Sequence, residues 1–287
     1  MAINESQSVR VHRCRFVDWT PSPITSIAFP PTPIDSSKKL PNGFPVLAVG
    51  RANGNIELYE WTSNPPPHQT YHGYVLRRVW FELSPPNFFF PMRITFLLQV
   101  FAAPVPSKVD TIILTLRDHH DAAGDPYDSL RLFSMGGGSE LLEWDLNKGT
   151  VRRSISSQGG SIWSMAANPA STKLAIGCED GCIRILSLEK DTFLVERKFD
   201  AINARILSIA WGPPTPHQPR KMDPAHAFDS DTDEEDERRW VDTWLVAGCS
   251  DSAVRKWDAV TGRILDRMST DRKRSDRTLV WAVGVLS

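Results

Sequence analysis

Hydrophobic positions in this chain come in short alternating runs bounded by Gly, Asp, Asn, Ser and Pro, which is the pattern of strands and turns. Four segments end alike: AVGRANGNIELYEW at 48–61, LFSMGGGSELLEWD at 132–145, AIGCEDGCIRILSL at 175–188 and VAGCSDSAVRKWD at 246–258. Each reads as an apolar strand, a tight polar turn and a second, alternating strand, so each predicts a β-hairpin. An aromatic residue or Leu closes the second strand, at Tyr59, Trp144, Leu186 and Trp257. Upstream of the hairpins a further strand-plus-turn unit recurs, as ITSIAFP at 24–30, IWSMAANP at 162–169 and ILSIAWGP at 206–213. VDTIILTL at 109–116 is a weaker copy, and LVWAVGVL at 279–286 begins a fifth. A small residue holds the matching place at Ser26, Ser164, Ser208 and Ala282. Small side chains there suit inner strands that converge on a common axis.

The closing positions lie 85, 42 and 71 residues apart. The middle spacing matches the ~40–45-residue period of WD repeats, whose four-stranded blades bury their faces by stacking radially. The predicted fold is therefore all-β: an incomplete WD-repeat β-propeller spanning 1–287, with about four blades and the first strand of a fifth. The longest interval leaves room for a hidden blade or an insertion. No turn with a Trp-Asp ending occurs in it, so 62–108 is expected to be an insertion between blades. Its core, WFELSPPNFFFPMRITFLLQV at 80–100, has no repeat pattern and is expected to be dispensable for the fold, whether as a true insertion or as translated non-coding sequence. Residues 213–240, first Pro-rich and then acidic, account for the third spacing as a disordered loop. No Gly-His dipeptide precedes an inner strand, so the His-to-Asp network usual in WD repeats is missing or replaced.

Composition adds little to the fold and much to what is excluded. The net charge is −1, but residues 229–237 hold seven acids and no base, so the rest of the chain carries +6. That balance tolerates an anionic partner without demanding one. Phe88–Val105 looks membrane-like, yet Pro91, Arg93 and Pro104 interrupt it well short of the ~20 residues a spanning helix needs. The opening residues lack an apolar signal core, which makes Cys14, Cys178, Cys182 and Cys249 free thiols by expectation. Cys178 and Cys182 flank a turn with no second ligand pair at zinc spacing, so packing is the expected role. His119 and His120 beside Asp121 lack a matched carboxylate or Cys and read as a solvated loop. Gly136–Gly138 resembles a phosphate cradle but falls on a hairpin turn. No nucleophile–base pair, phosphate loop or zinc-helix motif occurs. The expectation is no catalytic site, no metal, no cofactor and no small-molecule substrate.

Basic clusters stand at Arg10/Arg13/Arg15, Arg77/Arg78, Arg152/Arg153 and Arg272-Lys273-Arg274 with Arg277. The last group, ahead of the fifth-blade strand and beside no equal acid block, is the preferred contact for RNA or a partner protein. Ser230 and Thr232 each have an acid three residues on, which suits phosphorylation by an acid-directed kinase.

Several stretches together resemble the cirhin family: VHRCRFVDWTPSPITSIAF at 11–29, GSIWSMAANP at 160–169, AIGCEDGCIRI at 175–185, FDAINARILSIAW at 199–211 and TLVWAVGVL at 278–286. The resemblance covers 9–61 and 109–287. It implies the amino-terminal part of a longer double propeller, so this chain is expected to be a fragment. It also implies a non-enzymatic scaffold in the nucleolar small-subunit processome, within its transcription-linked (t-UTP) subcomplex. Partners would be other processome proteins and pre-rRNA, directly or indirectly, with no membrane. A substrate-receptor propeller of a cullin-type ubiquitin ligase is the alternative.

Overall fold

A computed structural model describes residues 22–32, 46–62, 94–102, 108–117, 126–216, 240–269 and 278–285. They form four antiparallel sheets of four strands, a WD-repeat propeller arc. The first blade is β1 (Ile24–Ala28), β2 (Val46–Arg51), β3 (Asn55–Thr62) and β4 (Ile94–Ala102). The second is β5 (Thr111–Leu116), β6 (Leu130–Met135), β7 (Glu140–Asp145) and β8 (Thr150–Ser156), and the third β9 (Ile162–Ala167), β10 (Lys173–Cys178), β11 (Ile183–Ser187) and β12 (Leu194–Lys198). In the fourth, β13 (Ile206–Trp211) pairs with β16 (Trp244–Cys249), followed by β17 (Ala253–Asp258) and β18 (Ile264–Ser269). A short ribbon of β14 (Thr215–Pro216) and β15 (Trp240–Val241) closes the base of the 213–240 excursion. Its interior, with Ser230 and Thr232, lies outside the described residues.

One expectation is corrected. The interval 62–108 is not wholly an insertion between blades, because its last part, β4, is the outer strand of the first blade. The physical reason is local: β3 has an outward ladder of N–H and C=O groups to satisfy, and β4 pairs with it from Asn55 to Thr62. Phe101 is fully buried and stacks on Trp144 of the second blade, ring centroids 5.9 Å apart. Residues 94–100 therefore belong to the sheet. The long first spacing arises inside a blade, from the connection between β3 and β4.

Three blades share one socket. Ser26 pairs in register with Gly50, Ser164 with Gly177 and Ser208 with Gly248, each joining an inner strand to the second strand. The next inner segment, β5, β13 or the chain at 278–285, lies directly on that pair. Ile112 N–H donates to Ser26 Oγ (3.0 Å), Ser164 Oγ to Ile206 O (3.1 Å) and Ser208 Oγ to Val280 O (3.1 Å). A Cβ on Gly177 would run into Ile206 and Ser164, and one on Gly248 would stand 2.5 Å from Ser208 Oγ. Glycine is required by the close approach itself. The second blade has Thr111 opposite Met135 at this place, and β9 is held by Ile162 N–H donating to Gly138 O at 2.9 Å.

Apolar side chains fill the seams. Leu114, Leu132 and Trp144 meet Ile56, Leu58 and Phe101 between blades one and two. Phe133, Met135 and Leu141 meet Leu174, Ile176 and Leu186 between two and three. Ile183 and Ile185 meet Leu245, Ala247 and Trp257 between three and four.

Each blade also buries a charge on its third strand beside an opposite one. Glu57 accepts from Arg51 Nε (2.9 Å) and from Tyr59 Oη (2.6 Å). Arg184 Nη2 donates to Asp180 (2.7 Å) and Arg255 Nη1 to Asp251 (2.8 Å). Glu57, Arg184 and Arg255 occupy the residue after the Gly partner's neighbour in register, on equivalent faces. The second blade instead buries Glu143, one place further along, against Arg131. The Arg255 guanidinium holds the Asp251 carboxyl below its ordinary value. Burial pushes Asp180 up, but Arg184 and the Cys182 N–H outweigh it and leave its value lowered.

Two predictions follow from this packing. Gly177→Ala should lower the unfolding free energy by about 1–3 kcal/mol in a urea titration. Gly138→Ala, whose added methyl meets nothing within 4 Å, should leave it unchanged. The lowered Asp180 and Asp251 values mean that their stabilisation is complete above the unfolded carboxyl value of ~3.9 and lost as pH falls through the folded one. Asp251→Asn should thus lower the melting temperature at pH 7 and flatten its decline in acid; parallel melting curves for both proteins from pH 7 to acid would refute the pairing.

Candidate interaction surfaces

The inner strands leave a cavity of about 550 Å3 at the end of the arc that carries the β10–β11 hairpin. Lys108, Asp110, Trp163, Ser164, Leu207 and Trp281 are among its walls. Trp281 is 58% exposed and tilts against Trp163 with centroids 6.3 Å apart. Arg205 lies over the other ring at 5.5 Å and pairs with Glu179 at 2.8 Å. Trp163 Nε1 is buried and, among the described residues, meets no acceptor. The cavity wall thus combines an exposed indole, Trp281, with the charged residues Lys108 and Asp110.

The preferred basic group, Arg272, Lys273, Arg274 and Arg277, lies outside the described residues, but the two ends of its connection do not. Ser269 pairs with Ala253, and Thr278 N–H donates to Ser252 Oγ at 2.7 Å. Both anchors sit at the same hairpin tip, on the face that carries the cavity. Arg10, Arg13, Arg15, Arg77, Arg78, His119 and His120 also fall outside the described residues.

Arg152 and Arg153 are described, and they are not a free basic patch. Both reach Glu143 and Asp191, together with Arg131 and Arg117, in a seam between the second and third blades. Arg131, 1% exposed, donates from Nη1 to Leu188 O (2.9 Å) and from Nη2 to Thr192 O (2.8 Å). Reading adjacent bases alone missed Glu143 and Asp191, because the carboxylates come from another strand and another blade. The one available sign was a Glu inside the apolar run LLEW.

Cys178, Cys182 and Cys249 are free and buried. Burial pushes the Cys178 thiol up to about 11 against the pull of Arg184, and raises Cys182 and Cys249 as well. Among the described residues, no three His, Cys, Asp or Glu side chains could hold a metal ion. None of the described helices is long and apolar enough to cross a membrane.

No family model matches the chain. It is 30% identical over 285 residues to U3 small nucleolar RNA-associated protein 4 of Saccharomyces cerevisiae, covering 95% of this chain and 27% of the yeast protein. The protein of the same name in Schizosaccharomyces pombe is 29% identical over 96% of this chain and 30% of its own length. The Homo sapiens homolog is 27% identical over 97% of this chain and 29% of its own length. The chain thus spans less than a third of each of these relatives.

Raised thiol values predict slow alkylation. At pH 8 the folded protein should take up iodoacetamide at Cys178 and Cys249 far more slowly than the urea-unfolded protein, read by peptide mass spectrometry. Equal rates in both states would show these thiols to be accessible.

Proposed function

We propose that the chain is the amino-terminal part of a member of the U3 small nucleolar RNA-associated protein 4 family, the cirhin family of the sequence resemblance. It acts as a scaffold in ribosome biogenesis, supporting small-subunit pre-rRNA processing and pre-rRNA transcription within the nucleolar processome and its t-UTP subcomplex. The observation that carries this reading is the similarity over at least 95% of the chain to relatives named for that RNA. The fold supports it physically. A rigid arc presents several loop-bearing edges in fixed relation, so separate partners dock without competing. The role is binding, and it calls for no cofactor and no catalytic group.

The contact proposed for RNA or a processome protein is Arg272, Lys273, Arg274 and Arg277. Their connection is tied at both ends to the face that holds the axial cavity, so partners of the two would meet there. Ser230 and Thr232, in the acidic excursion, are the proposed phosphorylation positions.

Depletion of the full-length gene product should leave small-subunit rRNA precursors unprocessed. Normal small-subunit precursors on a northern blot would overturn the assignment. Replacing the four basic residues by Ser in the full-length protein should reduce recovery of pre-rRNA and processome proteins without moving the melting temperature. Unchanged recovery would remove that cluster from the interface.

A further inference from the structure

The seam between the second and third blades carries more positive charge than it neutralises. Arg117, Arg131, Arg152 and Arg153 face Glu143 and Asp191, so among the described residues two of four guanidinium charges have no carboxylate of their own. Glu143 is fully buried and belongs to the wall: it takes Arg131 Nε at 2.8 Å and Arg153 Nε at 2.8 Å. Asp191 is different. Its side chain is 35% exposed, and it reaches in from the turn before β12. Arg152 grips it bidentately, at 2.9 and 2.6 Å, with Arg117 at 3.2 Å and Arg153 at 3.4 Å. Its turn is strained, with Lys190 at φ 50° and Asp191 at φ 58°, left-handed values that side chains other than glycine rarely hold in succession. Arg117 Nε is buried with no acceptor among the described residues. Burial lowers the Arg117 value, Asp191 opposes that, and Arg152 and Arg131 add to it.

Asp191 is therefore a monoanionic occupant of a seat with room for a dianion. We propose that this seam is a binding site for a phosphomonoester group, the phosphoserine or phosphothreonine of a partner protein segment, which displaces Asp191 from Arg117, Arg152 and Arg153. Charge selects the ligand. Two unmatched positive charges at one point fit the −1.5 to −2 of a phosphomonoester at pH 7, whereas a nucleic-acid backbone carries single charges spread along a line. Geometry agrees, because the paired Nη donors of Arg152 already hold two oxygens of one group, as a phosphoryl edge requires. Release of the strained turn on displacement offsets part of the lost carboxylate contacts. The site lies wholly within two described blades and does not rest on the role proposed above.

Fluorescence polarisation on the whole chain decides, with labelled Gly-Gly-phosphoserine-Gly-Gly as probe and the unphosphorylated peptide and hexauridylate as competitors. The phosphopeptide should bind, and neither competitor should displace it. Asp191→Asn should tighten binding about tenfold by removing the resident carboxylate, and Arg152→Lys should weaken it about tenfold by removing the fork while keeping the charge. Arg152→Lys should melt like the parent, and should Asp191→Asn not fold, the affinity change of Arg152→Lys alone decides. Displacement by the serine peptide, equal competition by hexauridylate, or an affinity that Arg152→Lys leaves unmoved would each overturn the site.

Discussion

The arc depends on how closely one inner strand can approach the blade before it. At three blades that distance is set by the smallest pair available, a serine opposite a glycine, and the serine hydroxyl then bonds the arriving strand. The hydroxyl and the missing side chain act together. Without the glycine the strand cannot come near enough, and without the serine it loses the hydrogen bond made at the closest approach. The outer strands β12 and β18, exposed along their whole length, have no comparable constraint.

Buried charge is the second organising element, and it differs among blades in an instructive way. The first blade buries an acid held by a base, and the third and fourth bury a base held by an acid, at matching places. What the position demands is a polar pair that ties the third strand to its hairpin or second strand, and the sign is free. A lone charge there would be far costlier than the apolar alternative, so each partner constrains the other.

Much of this was legible in the sequence. The hairpins, the inner strands and the small residues Ser26, Ser164 and Ser208 were visible because alternation and turn chemistry are local. The outer strand β4 was not, since it follows β3 after a long connection and its apolar run lacks alternation. The charged pairs were also hidden. Asp180 and Arg184 look like ordinary solvated residues of a turn and a strand, and only the stacked neighbour removes their water. The seam arginines show the same effect, because Arg152 and Arg153 read as a basic patch until Glu143 and Asp191 are brought across from elsewhere.

The second blade, with Thr111 and Met135 where its neighbours have Ser and Gly, gives the arc an uneven grain. Stacks of like units share stability through like interfaces, and cooperativity passes along them as far as the interfaces match. Here the joint between blades two and three is made of other materials: a thioether, a hairpin carbonyl and a knot of guanidinium and carboxylate groups. Coupling between the two halves of the arc therefore passes through contacts unlike those within each half. Acid strong enough to protonate Asp191 would weaken this joint while leaving the serine and glycine contacts, which do not titrate, in place.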